Sequence, residues 1–164
     1  MTTTTLTQKD LVKARLAHVR RWLDSCLKRL SPEMMAWAPA AGMRTIGGQL
    51  AEIISVEVPL VPRLKDGRQP SDAEVNAIIG DENDLQNLLL VLTETRNQTL
   101  NYLESLSDEE LAEEIPSGDA WFGTMWLPSM PRAEHFLNIA EHEFYHTGQL
   151  ISYLWSRGDD PYKW

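Results

Sequence analysis

The chain has 164 residues, of which 43% are apolar and 24% charged, with a formal net charge of -9 and one cysteine. That length suits one domain with a sizeable core, expected to span residues 1–164, and the composition excludes disorder as the main state. A phosphate backbone is held by releasing counterions to basic side chains, so the acidic balance predicts no nucleic-acid partner.

No apolar run is long enough to span a bilayer, and the opening MTTTTLTQKD has no apolar signal core; no membrane contact and a cytoplasmic location are therefore expected. From Thr7 to Leu30, the apolar residues Val12, Leu16, Val19, Leu23, Cys26 and Leu30 recur at threes and fours with Lys and Arg between them. This spacing predicts a long amphipathic helix, stopped by Ser31-Pro32, with Cys26 as a core residue. A loop containing Pro39 and Gly42 leads to a second helix near Thr45 that carries Ile46, Leu50, Ile53 and Ile54. Pro59 and Pro62 must kink or end it, because each lacks the amide hydrogen a helix interior uses. GRQPSD reads as a loop, and from about Asp81 a third helix carries Leu85, Leu88, Leu89, Leu92, Leu103 and Leu106. Ser107 with Glu110 resembles a capping box for a short following turn. IPSGDAWFGTMWLPSMP, with its prolines and glycines, is expected to form a long crossing before a fourth helix from Arg132 to Ser156, closed by Gly158 and Pro161. No alternating strand pattern is evident. The elements predict an all-α fold, an antiparallel four-helix bundle with a long crossing before the last helix.

The fourth helix contains HEFYH, His142 to His146. At ~100° and ~1.5 Å per residue the two imidazoles share one face and can share one metal, and His135 lies on the same stripe. The bland alternative, polar residues on a wet face, is weakened by Phe136, Ala140, Phe144 and Ile151 on the other side. A zinc-peptidase reading needs Glu143 to position water and a third ligand downstream. Gln149 and Ser152 stand where one extended pattern has glycine and histidine, and no glutamate follows Glu143, leaving Asp159 and Asp160 as substitutes. A di-iron reading uses Glu143 and His146 as Glu-x-x-His but needs that motif twice, and neither His18 nor His135 has a glutamate three residues before it. The third reading draws on Glu52, the one charged residue in TIGGQLAEIISV. An unpaired carboxylate in a core-facing helix costs several kcal/mol, which a divalent ion shared with His142 and His146 would offset. Alternatively Glu52 points to solvent beside Gln49.

HEFYHTGQLISYLWSRGDDP is similar to the closing helix of the DinB-like, YfiT-related family of metal-binding four-helix bundles. SPEMMAWAPAAGMRTIGGQLAEIISVE resembles the lead-in to that family's second helix, so the resemblance covers nearly the whole chain. It implies a divalent ion, one of Zn, Mn, Fe or Ni, held by His142 and His146 and by Glu52 at the position where the family has a third histidine. The carboxylate makes the site harder and more negative. Thr147 stands where the family often has an arginine. The resemblance further implies transfer of a small thiol to an electrophilic substrate, and a homodimer. Gln49 and Glu143 are candidates to support the ligands, with Glu143 alternatively solvated, and His135, Trp121, Phe122 and Trp126 are candidates to line the pocket, although aromatics on such a crossing more often pin it to the bundle. Two alternatives stand beside this reading: a noncatalytic, stress-associated dimeric module pairing through Phe136, Ala140, Phe144, Ile151 and Trp155, and a zinc peptidase using HEFYH.

Overall fold

A side chain that satisfies free amide hydrogens opens three of the four long helices. Thr7 forms a reciprocal capping box with Asp10 ahead of α1 (Gln8–Leu27), Thr45 accepts from the Gly48 amide ahead of α2 (Ile46–Glu57), and Asp84 accepts from the Asn87 amide ahead of α5 (Leu85–Ser105). The fourth, α7 (Arg132–Ser156), begins behind Pro131. The computed structural model describes residues 6–117 and 127–164.

Between α2 and α5 the chain makes two short helices, α3 (Leu60–Asp66) and α4 (Asp72–Ile79). Pro59 lies at the break after α2, and Pro62 sits in the first turn of α3, where no intrahelical amide bond is needed. The predicted GRQPSD loop ends one residue early, because Ser71 and Glu74 form a capping box that starts α4. Ser107 and Glu110 do the same for α6 (Asp108–Ala112). The crossing contains two short strands that the sequence pattern did not suggest, β1 (Glu114–Pro116) and β2 (Ser129–Pro131), paired antiparallel with Ile115 opposite Met130. At three residues each, they are too short to show an alternating pattern.

Contacts between helices show their directions. Arg20 on α1 meets Glu143 on α7, and Arg29 beyond α1 meets Asp159 beyond α7, so these two run the same way. Gly47 at the head of α2 abuts Glu82 ahead of α5, and Glu57 at its end meets Arg96, so α2 and α5 also run together. The pair α1 and α5 is antiparallel, with Lys13 on Glu104 and Arg20 on the Leu92 carbonyl. So is the pair α2 and α7, with Gln49 on Tyr153 and Glu52, further along α2, beside His142 and His146, earlier on α7. The fold is all-α, with antiparallel packing across two pairs and parallel packing across the other two, as its long connections permit.

The core divides into two apolar clusters. One gathers Leu23, Leu50, Leu88, Leu150 and Leu154, and the other Leu16, Leu60, Leu103, Phe136 and Ala140. On every long helix the boundary between them is a charged residue: Arg20, Glu57, Arg96 and Glu143. Cys26 is in the first cluster as expected, and burial pushes its thiol up to about 12, which keeps it protonated and inert. The anticipated partner stripe on α7 is not one surface. Phe136 and Ala140 are fully buried whereas Phe144 and Trp155 are exposed, because the core-facing sector of α7 includes the former pair.

Two glycines respond oppositely to a methyl group. A Cβ at Gly47 would overlap the Glu82 backbone carbonyl, whereas one at Gly148 meets nothing within 4 Å. Gly47→Ala is expected to cost about 1–3 kcal/mol by forcing the α4–α5 connection away. Gly148→Ala in mid-helix should instead stabilise by about 0.5–1 kcal/mol. Urea unfolding of both variants checks the pair; equal effects would contradict this packing.

Candidate metal centre

His142 and His146 lie one turn apart on α7, both buried, with their Nε2 atoms 3.1 Å apart. Glu52 on α2 joins them. One ligand atom from each of the three lies within 4.8 Å of the others, and among the described residues this is the one such group of His, Cys, Asp or Glu. Metal–ligand bonds of ~2.1 Å place neighbouring donors about 3–3.4 Å apart, so the two ring nitrogens already have suitable spacing.

A row of hydrogen bonds sets the chemistry of His146. The Tyr153 hydroxyl donates to the Arg44 carbonyl at 3.1 Å, so its oxygen is left to accept from Gln49 Nε2 at 3.0 Å. That fixes the orientation of the Gln49 amide, whose Oε1 faces His146 Nδ1 at 2.6 Å and must accept from it. His146 therefore carries its hydrogen on Nδ1 and presents the Nε2 lone pair to His142 and Glu52. This is the outer support a ligating histidine requires, and Gln49 supplies it.

Burial first, then the neighbouring His146, pushes His142 down to about 4, with Glu52 pulling it up and Arg44 pushing it down. Burial also lowers His146, opposed by Glu52, reinforced by Arg44 and opposed by a hydrogen bond with Gln149. Neutral imidazoles are the metal-binding form. The triad opens on a cleft of about 430 Å³ walled by Met43, Tyr145, Gln149 and Tyr153.

Glu52 is not the isolated core carboxylate inferred from its neighbours. Its side chain is 35% exposed and pairs with Arg44, which lies on the lead-in to α2. The buried carboxylate on this helix is Glu57, gripped by Arg96 through both oxygens at 2.7 and 3.0 Å.

Glu143 does not stand beside the triad. It is fully buried and turned into the bundle, where Arg20 binds both its oxygens at 3.1 and 2.8 Å and Arg96 adds a bond at 2.6 Å. A carboxylate so occupied cannot position a water in the cleft, so the peptidase reading loses its base. His135 is buried against Arg63, which hydrogen-bonds its Nδ1, and it is not among the cleft-lining residues. The stripe it shares with His142 is covered by α3 at that level. Trp121, Phe122 and Trp126 lie outside the described residues. Arg44 and Tyr153 were missed; Tyr153, seven residues after His146, carried a signal in its helical spacing, whereas Arg44 carried none.

A helical bundle with two histidines and a carboxylate facing one another across α2 and α7 defines a class of candidate metal-binding bundle. The chain belongs to the DinB superfamily, whose family model matches residues 10–150. No curated protein sequence matches it. A crystal structure of the colibactin self-resistance protein ClbS in complex with a double-stranded DNA is similar, with TM-score 0.62, 15% identity, and coverage of 94% of this chain and 98% of that one. So is a crystal structure of a conserved protein from Enterococcus faecalis, with TM-score 0.62, 15% identity, and coverage of 90% and 95%. At such identity the likeness shows the fold.

The ClbS structure also corrects the expectation that nucleic acid is excluded as a partner, since a protein of this fold is seen on a duplex. The physical error was to average charge over the chain. Lys9, Lys13, Arg15 and Arg21 all lie on α1 against Asp10 and Asp24, so an acidic total does not describe each element. No helix among the described residues is long and apolar enough to cross a membrane.

Removing half of the Glu143 charge pairing should be costly. Glu143→Gln leaves buried guanidinium charge uncompensated and is expected to destabilise by about 3–5 kcal/mol in urea unfolding. A loss below about 1 kcal/mol would mean that the pairs are not formed. A pH effect comes from His135, pushed down to about 4 chiefly by burial and next by Arg63. Because unfolding then takes up a proton, its contribution is present above about 6.5 and is lost as pH falls towards about 4. The stability advantage of the natural protein over His135→Gln should therefore shrink across that window, as measured by urea unfolding at several pH values.

Proposed function

We propose that the protein holds one divalent first-row ion through Glu52, His142 and His146, and that the adjoining cleft binds a small thiol for transfer to an electrophile. The observation that carries this reading is the meeting of three donors with the His146 tautomer locked by Gln49. Two imidazoles and a carboxylate suit Zn, Mn, Fe or Ni, and membership of the DinB superfamily supports such a site. When bound, the ion lowers the pKa of a coordinated thiol or water and so yields a nucleophile at neutral pH.

The chain's own residues do the rest. Gln49 keeps the His146 lone pair aimed outward, Tyr153 braces Gln49, and Met43 and Tyr145 provide an apolar wall that displaces water from one side of the ligand. Glu143 and Arg96 hold α7 so that both imidazoles look toward α2. We further read the chain as one domain acting in the cytoplasm as a homodimer, a reading supported by Leu11 and Trp22 on α1 and Phe144 and Trp155 on α7, all about half exposed.

One preparation tests these statements together. Protein purified without chelator or histidine tag is expected to carry about one divalent ion per chain by elemental analysis and to weigh two chains by light scattering. His142→Ala and His146→Ala should each abolish the metal, and Glu52→Ala should reduce it at least tenfold, about the scale of a lost ligand. Metal-dependent consumption of a thiol with an electrophile, lost in His146→Ala, supports the transferase. A folded protein that takes up no ion overturns the proposal.

A further inference from the structure

The third ligand is already spoken for. Glu52 is paired with Arg44, whose side chain is 46% exposed and lines both the main cleft and a neighbouring hollow of about 270 Å³. Resting on the metal-centre reading above, we propose that Arg44 sets the substrate class of the site: an ion bound by Glu52, His142 and His146 displaces the guanidinium, which then holds the carboxylate of a small acidic ligand reaching the triad.

The stem of Arg44 is held, and its half-exposed head is paired with Glu52. Its carbonyl accepts from Tyr153, the residue that braces Gln49. Its Cγ lies against Gly48, where a Cβ would stand 2.7 Å away, so the chain leaves the backbone along a path that glycine keeps open. Only the outer part can swing. A dication and a guanidinium carry like charge and compete for one carboxylate, so occupancy by the first expels the second. The displaced head stays tethered between the main cleft, where no other Lys or Arg is among the lining residues described, and the neighbouring hollow, where Glu82 is the competing carboxylate.

A guanidinium there offers two parallel donors matched to a carboxylate. Met43 and Tyr145 suit the short carbon chain that would join that carboxylate to a metal-seeking group. The ligand this describes is a small thiol acid rather than a neutral thiol. Because the ion frees the group that binds the acid, each strengthens the other by the same factor.

The test uses tag-free, metal-stripped protein with zinc, 3-mercaptopropionate and 2-mercaptoethanol. Arg44→Gln should bind zinc about tenfold more tightly in competition with a chromophoric chelator, because Glu52 is no longer held. The zinc form of the natural protein should prefer 3-mercaptopropionate over 2-mercaptoethanol by about tenfold, as a charge-assisted bond predicts. Arg44→Gln should erase that preference while keeping its affinity for 2-mercaptoethanol, and Arg44→Lys should keep part of it. Zinc affinity unchanged or weakened in Arg44→Gln, or a preference that survives the substitution, overturns the assignment of Arg44 alone. Failure of the natural protein to take up zinc overturns the metal centre and this inference with it.

Discussion

The buried layer of Arg20, Glu57, Arg96 and Glu143 governs the rest of the bundle. Each of the four long helices contributes one member, and the charges sum to zero. Both arginines bind a carboxylate with two nitrogens, and Arg96 bridges the two carboxylates. Apolar contacts alone would tolerate a helix sliding by a turn, because leucine packs about as well against one leucine as another. Here a slide would leave a charge inside the protein without its counterpart, at a cost of several kcal/mol. Register and rotation are thus specified at one level, with oil-like packing free to follow on either side.

That specification reaches the metal centre through α7. Successive helical positions turn by ~100°, so with Glu143 directed inward, His142 and His146 project from the same flank, ~40° from each other. Their common target is α2, where Gln49 and Glu52 wait one turn apart. The glutamate of HEFYH therefore serves the two histidines from behind. The same five letters that make a hydrolytic site when the glutamate shares the cavity make a structural peg when it points to the opposite side, and the difference lies in what the neighbouring helices offer it.

Much of this was legible beforehand because helical periodicity is a local property. The buried set Val12, Leu16, Val19, Leu23 and Cys26 follows directly from spacing, as do the bounds of α7. Direction was less legible: α3 and α4 lengthen the path from α2 to α5, and α4 is a short helix beginning in what reads as a loop. The case of Glu52 is instructive. Its position near the histidines is as expected, yet the reason offered, an uncompensated core carboxylate, belongs to Glu57 at the end of the same helix. What compensates Glu57 is Arg96, 39 residues away in sequence, a pairing that no local pattern announces. Arg44 escaped notice for the same reason, since its importance arises from where the lead-in to α2 folds back.

The hydrogen-bonded row from His146 through Gln49 and Tyr153 ends on the Arg44 carbonyl, and a carbonyl can only accept. Every hydrogen along it points toward that terminus. Turning any one group around would bring two hydrogens or two lone pairs face to face, and turning all of them would require the carbonyl to donate. The polarity of the row is consequently irreversible. His146 is thereby held in one tautomer, its Nδ1 committed to the row and its Nε2 left as the ring atom that faces the other two donors.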